Sequence, residues 1–558
     1  MTSGYQQGLR RMLVDMHIPD WDPAFLSKYD PAAMAKLFER ARLTSVMLYC
    51  KSHAGLCYWP AKAGKMHAGL HGRDIVGDLL KELRARNIAP CAYYSIIFDN
   101  WAVQTHPDWR QRPVSGLDFR NLIRYGVCCP NHPEYLAYEM AQLDDLLSSY
   151  KFDALFLDMI FWPTICGCDH CRTRYRAESG REIPATVDWT SPQWCEFQTA
   201  RESWIDEFTS KLMVKAQSVS PGIGLTHNLA PALADWVLAQ PLTASIHDTF
   251  VAGDLYGDRV EQLVVSKLLL HLSETRPAEF MTSLCSDLSD HVRLKSEEQM
   301  RAQAAAATAL SSGFLFIDAI DPVGTVNPAA YERVGRVFRD TEPYEPFIGG
   351  EPIEDVAVYF SGHSQMDFAE NGKPASSFLT SSRKYPHLDA VRGACRALQR
   401  AHIPFGVVTR RQLRQLDHFR VLILANVLRL DTEETEAFRD FVRRGGRLYA
   451  SRYTSLVDTS GVRHKDFMLS DVFGASYEGE EPGSFVYMKP SNQPVADRIA
   501  PQHFLSFKVT ADPIRPPVDL CGIPHLKSAA AAKSLATLTV PFGYPARGSV
   551  NDHRWASI

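Results

Sequence analysis

Short apolar runs alternate with amphipathic helical stretches across residues 1–345, and this alternation constrains the fold more than any other feature of the chain. Eight runs read as strands: Arg11–His17, Ser45–Cys50, Ile88–Ile97, Asp153–Asp158, Ile223–Asn228, Ala244–Asp248, Glu279–Leu284 and Phe314–Asp318. Helical patterns lie between them, among them Asp74–Arg86, Tyr135–Ser149, Gln198–Ser218, Asp258–Leu272 and Glu297–Ser311. Repeated strand–helix units bury a parallel sheet beneath helices. Eight units in about 340 residues fill a (β/α)8 TIM barrel with a few insertions. A doubly wound open sheet is the alternative, and the missing Gly-rich phosphate turn after the first strand weighs against it.

A chain of 558 residues is too long for one core. The turn-rich segment Thr341 to Glu354, with Pro343, Pro346, Gly349, Gly350 and Pro352, reads as a linker. Beyond it, residues 353–470 repeat the strand–helix alternation. Strands are expected at Asp355–Ser361, Pro404–Val408, Val421–Ala425 and Arg447–Ala450, with helices at His387–Ala401 and Thr432–Arg444. This is a flavodoxin-like pattern. Val421–Ala425 runs on into Asn426-Val427-Leu428 with no cysteine, so an amidotransferase would lack its nucleophile there. Residues 471–558, richer in Pro and Gly, read as a small β-rich region. The expected architecture is α/β: a barrel over 1–345, a flavodoxin-like domain over 353–470 and the β-rich end.

Net charge of −4 gives no electrostatic reason to bind nucleic acid or an anionic membrane. No apolar run reaches the ~20 residues of a membrane span, and Met1 to Trp21 shows no signal peptide. Twelve cysteines without a secretory framework fit a reducing compartment, so a cytoplasmic location is expected.

In such barrels, side chains at the C-terminal ends of strands carry the chemistry. Asp158 closes the fourth run and is followed by Phe161 and Trp162. A carboxylate beside flat aromatic faces is what cleaving a sugar requires, although a strand-end Asp can also simply cap a turn. The loop Lys51 to Pro60 adds a cation, the imidazole of His53, Tyr58 and Trp59, either to grip hydroxyls and stack on a ring or to pack as an ordinary loop.

Lys51, His53, Gly55 and Trp59 resemble the Lys-His-His-Asp-Gly-Phe…Trp segment of the α-L-fucosidases of glycoside hydrolase family 29. Ser52 and Ala54 depart from it, losing one imidazole and one carboxylate. Tyr93-Tyr94-Ser95 is similar to that family's next strand end, and Phe152 to Asp158 to the strand bearing its nucleophile. The overall layout resembles a bacterial group called hypothetical glycosyl hydrolase family 6. There such a barrel precedes a domain like the trimerisation domain of family 42 β-galactosidases, which Asp355 to Ser470 resembles. The resemblance implies a retaining glycoside hydrolase, α-L-fucosidase-like or β-galactosidase-like, acting on an oligosaccharide or glycoside. It implies Asp158 as nucleophile, Lys51, His53, Trp59 and Tyr94 near the sugar, and a homo-oligomer, dimer or trimer.

The second carboxyl must sit at another strand end. Asp248 is favoured, with Asp254 as runner-up and Asp287, Asp290, Asp318 and Asp321 behind them. His17, His227 and Asn228, also at strand ends, are candidate substrate contacts, and Trp162 a candidate platform. No catalytic metal is expected. A metal-dependent hydrolase would need a His-x-His pair on the first strand, and Pro19 follows His17 instead. A non-catalytic sugar-binding scaffold stays open. Cys166, Cys168 and Cys171 could hold a structural zinc with a distant fourth ligand from Cys128, Cys129 or His132, or stand as reduced loop thiols.

Overall fold

The computed structural model describes residues 4–116, 124–234, 236–287, 290–375, 385–481, 485–490, 505–508 and 523–539. Eight parallel strands form the first domain: β1 Arg10–Asp15, β2 Ser45–Lys51, β3 Ala89–Ser95, β4 Ala154–Asp158, β5 Gly224–His227, β6 Ala252–Asp254, β7 Ala278–Ser283 and β8 Ser312–Ala319. They pair in the order β5-β4-β3-β2-β1-β8-β7-β6. The remaining gap is bridged where Asn228, just past β5, pairs in parallel with Ala252, and Leu229 N–H donates to the Ala252 carbonyl at 3.0 Å. The barrel is therefore closed, as its eight-unit pattern requires.

One strand differs from expectation. Leu242–His247 coils into a 3-10 helix, and the sixth stave is Ala252–Asp254. Pro241 opens that helix and Asp248 ends it, while the Phe250-Val251-Ala252 run, too short to stand out, enters the sheet. This correction moves the sixth strand end from Asp248 to Asp254.

Alternate residues face inward. At the bottom of the barrel, Arg11 from β1 and Glu279 from β7 form an ion pair of 2.6 Å with both side chains fully buried. Arg11 also donates to the Gly8 and Gln6 carbonyls, and Tyr5 donates to Glu279 at 2.7 Å. Gly313 makes room for this plug: a β-carbon there would lie 2.5 Å from the Arg11 guanidinium carbon.

The second domain is a parallel sheet of β9 Val356–Tyr359, β10 Phe405–Val408, β11 Val421–Leu424 and β12 Arg447–Ala450, in the order β10-β9-β11-β12. This 2-1-3-4 order is that of flavodoxin-like folds. The domain docks on the barrel through polar ties. Glu354 accepts from Lys267 at 2.9 Å and pairs with His271 at 2.7 Å, and Tyr385 donates to the Leu233 carbonyl at 3.0 Å. In the final region the described pieces are antiparallel strands, Ala475–Glu481 with Ile523–Ser528, and Leu505–Lys508 with Phe485–Pro490 and Ala536–Thr539. The rest of 471–558 lies outside the described residues.

Replacing Arg11 by Met would leave Glu279 buried and unpaired, which costs about 3–5 kcal/mol. Chemical denaturation of Arg11→Met should show a loss of that size.

Candidate active site

Five of the residues singled out by sequence converge on one bowl at the C-terminal end of the barrel: His17, His53, Asp158, Asn228 and Asp254. Its cavity is about 250 Å³. Leu13, Phe156, Met281 and Ile317 form its apolar floor, and Asp15, Tyr49, Tyr93, Tyr125 and Tyr256 line its walls.

Asp158 ends β4 facing inward. Its Oδ1 accepts from Met159 N–H at 2.9 Å and from the Asn228 amide at 3.1 Å, and its Oδ2 accepts from the Tyr93 hydroxyl. Met159 itself sits in the left-handed region, with φ at +62°. The same Asn228 Nδ2 donates to Asp254 Oδ1 at 2.8 Å. One nitrogen 3.1 and 2.8 Å from the two oxygens limits their separation to about 6 Å, compatible with the ~5–5.5 Å carboxyl spacing of retaining glycosidases. Burial, and next the charge of Asp254, push the Asp158 carboxyl up to about 7, against the opposing pull of its three donors.

Two stacked imidazoles face this pair, His17 and His53, with ring centres 3.6 Å apart. His53 N–H donates to His17 Nδ1 at 3.1 Å, which leaves the His17 proton on Nε2. That nitrogen is 2.8 Å from the Tyr49 hydroxyl and 3.2 Å from Asp15 Oδ1. Ser95 donates its proton to the Phe98 carbonyl, so it accepts from His53 Nδ1 at 2.7 Å. His53 Nε2 is then a bare acceptor 3.9 Å from Asp158 Oδ2. Burial above all, with the charges of Arg124 and Lys51 adding to it, holds His53 well below its usual range and therefore neutral.

The other candidates lie elsewhere, each for a physical reason. Pairing between β2 and β3 slips at a bulge between Tyr49 and Lys51, which sets Lys51 opposite Tyr94. Lys51 therefore turns outward and is buried between Asp99 at 2.8 Å and Glu139 at 2.6 Å. Tyr94 also faces outward, donating to Gln142, while Tyr93 faces the bowl. Trp59 is buried, donating to Asp145 at 3.1 Å, and Trp162 is buried, donating to the Arg201 carbonyl at 3.0 Å. Asp248 is buried against His227, 2.7 Å from its Nδ1, on the outward side of β5. No motif marks Asp15, Tyr49, Tyr125 or Tyr256, and within the Tyr93-Tyr94-Ser95 motif it is Tyr93, paired with Phe156, that faces the bowl rather than Tyr94.

The loop leaving β4 ends in a cluster of four buried thiols. The three sequence candidates are completed by Cys129, with the four sulfurs within 4.8 Å of one another. Cys129 Sγ lies 3.5 Å from Cys171, 3.6 Å from Cys168 and 4.0 Å from Cys166. Tetrahedral zinc with ~2.3 Å bonds sets its sulfurs about 3.8 Å apart. Asn131 Nδ2 at 3.3 Å from Cys171 and Arg112 N–H at 3.4 Å from Cys166 supply hydrogen bonds suited to thiolates. None of the eleven cysteines among the described residues is in a disulfide. The donor set fits a structural zinc, closed and remote from the carboxylates.

The family model "Alpha-L-fucosidase" matches residues 5–213. Tissue α-L-fucosidase of Mus musculus is 30% identical over 163 residues, 28% of this chain and 30% of that protein. The chain thus aligns with under a third of the length of this relative. Among solved structures, α-L-fucosidase isoenzyme 2 from Paenibacillus thiaminolyticus superposes with a TM-score of 0.77 at 17% identity, covering 98% of this chain and 77% of that one. A β-galactosidase from Bacillus circulans sp. alkalophilus gives 0.71 at 15%, covering 96% and 83%. At these identities the structural likeness shows the fold alone, a TIM barrel with further sheets.

Two outcomes are expected. Purified protein should contain one zinc per chain by plasma mass spectrometry, and Cys171→Ser should lose the metal together with roughly 3 kcal/mol or more of stability. Because folding raises the Asp158 pKa, the folded state holds the proton more tightly. Stability is therefore lost as pH rises from about 4 to about 7. Asp158→Asn should be more stable than the parent by roughly 1–3 kcal/mol above pH 7 in thermal melts, with the difference vanishing below pH 4.

Proposed function

We propose that the chain is a retaining glycoside hydrolase that removes one terminal sugar, α-L-fucosidase-like, with Asp158 as nucleophile and Asp254 as acid/base. One observation carries this reading: two carboxylates of the barrel rim share the Asn228 amide across a cavity with room for about one sugar ring. The match of residues 5–213 to the α-L-fucosidase family supports it.

Asp158 attacks the anomeric carbon while Asp254 gives its proton to the departing glycosidic oxygen. A covalent glycosyl ester forms and the alcohol leaves. Asp254, now ionised, takes a proton from water, whose oxygen attacks the same carbon and releases Asp158. The Tyr93 hydroxyl, the Asn228 amide and the Met159 N–H hold the carboxylate in line for attack. Neutral His53 accepts a sugar hydroxyl at Nε2. The apolar floor of Leu13, Phe156, Met281 and Ile317 suits the methyl group of a 6-deoxy sugar better than a hydroxymethyl.

The test is turnover of a panel of nitrophenyl glycosides, with the anomer of the first-formed product read by NMR. Asp158→Asn should lower kcat roughly a thousand-fold or more. Asp254→Ala should retain activity on nitrophenyl leaving groups, regain rate with azide and lose activity on unactivated glycosides. Attack needs Asp158 ionised while the proton of the pair sits on Asp254, so kcat/KM should fall as pH rises past about 7 and the pair loses that proton. Full activity in Asp158→Asn, or a first product of inverted configuration, would remove the assignment.

A further inference from the structure

A second cavity opens beside the bowl and is the larger of the two, about 660 Å³. The two meet at Asp15, His17 and Arg124, which line both. Beyond that boundary the outer cavity changes character. Its walls are Ile18, Phe25, Leu294, Ile320 and Val326. Most of its described lining residues are apolar, and two of its polar oxygens are taken up by backbone N–H groups. Asp321 Oδ1 accepts from Val323 N–H at 3.0 Å and Asn327 Oδ1 from Ala329 N–H at 3.1 Å. Against the lining residue Phe25, edge-on with ring centres 4.8 Å apart, Trp21 stands 75% exposed. An indole held in water on a wall of aliphatic side chains is apolar surface awaiting a partner.

We propose that this outer cavity binds the leaving group, and that the leaving group is a bulky hydrophobic alcohol rather than a second sugar. The inference rests on the glycosidase reading above and extends it to the substrate class: glycosides of long-chain, alicyclic or aromatic alcohols. The bowl holds the sugar, and the boundary at His17 and Arg124 is where the glycosidic oxygen passes from one cavity to the other. Released alcohol leaves past Trp21. Reactions that attach a sugar to an apolar hydroxyl must supply such a substrate.

Aryl leaving groups are intrinsically faster, so the comparison uses alkyl glycosides, whose alcohols have nearly equal acidity. The sugar is the one cleaved in the nitrophenyl panel. The octyl glycoside should show a kcat/KM at least tenfold above both the methyl glycoside and a disaccharide bearing the same terminal sugar, chiefly through KM. Phe25→Ser should lower the octyl-to-methyl ratio severalfold while Phe25→Leu keeps it, with the melting midpoint reporting that both variants are folded. Equal rates on octyl, methyl and disaccharide substrates would overturn the inference and leave the glycosidase reading standing. So would an unchanged ratio in folded Phe25→Ser. Failure to cleave any glycoside in the panel would instead remove the glycosidase reading, and this inference with it.

Discussion

Two carboxylates held close in a water-poor bowl repel each other, and the side chain that makes their approach tolerable is Asn228. Its amide nitrogen serves Asp158 and Asp254 together. Its carbonyl oxygen accepts from Ala230 N–H at 3.2 Å, which turns the nitrogen toward the acids. Asn228 N–H also donates to the Leu157 carbonyl at 3.1 Å, and the residue bridges to Ala252. Backbone contacts to β4 and to β6 thus fix a side chain that addresses the ends of both strands. The short β5 and β6 therefore do more than close the barrel: their closure sets the distance between the acids.

The barrel separates its charges along its axis. At the bottom, Arg11 and Glu279 neutralise each other in full burial and are further held by Tyr5 and backbone carbonyls. At the top, no cation pairs directly with Asp158 among the described residues. Its partners are a phenol, an amide and a backbone N–H, all neutral. A lysine in that place would hold the carboxylate permanently ionised and blunt its nucleophilicity. Lys51, close in sequence to His53, is turned away to Asp99 and Glu139, where it braces the loop carrying His53 instead. Burial and the charge of Asp254, opposed only by neutral donors, raise the Asp158 carboxyl to about 7.

What could be read from the sequence follows from what periodicity reports. Seven of the eight staves, the second parallel sheet and the inward carboxylate at 158 are consequences of apolar runs ending at polar residues. His17, His53 and Asn228 follow because strand ends share one rim. The failures have a common origin: local pattern does not report which face of the sheet a residue occupies once a strand is irregular. Lys51 has the parity of Tyr49, and only the bulge reverses it. Tyr94 matches a family motif, yet its neighbour Tyr93 holds the inward phase. Trp59 and Trp162 carry the right chemistry for stacking on sugar, and both are spent on packing beneath the loops. Asp248 ends a run that looks like a strand only while its backbone coil is unseen.

The thiol cluster bears on the site through the chain that joins them. Residues 159–168 run from the strained Met159 to the cysteines, and the opposite side of the cluster, Cys129, belongs to the segment that leads from Tyr125 into the helix Pro133–Ser149. A closed four-sulfur knot would fasten the loop after β4 to the loop after β3 about one loop's length from Asp158. A left-handed non-glycine residue persists only where its surroundings overdetermine it. Trp162, buried and bonded to the Arg201 carbonyl, pins the same loop midway. The Met159 N–H that points at Asp158 is thus held from both ends, so the alignment of the Asp158 carboxylate depends on sulfur chemistry outside the bowl.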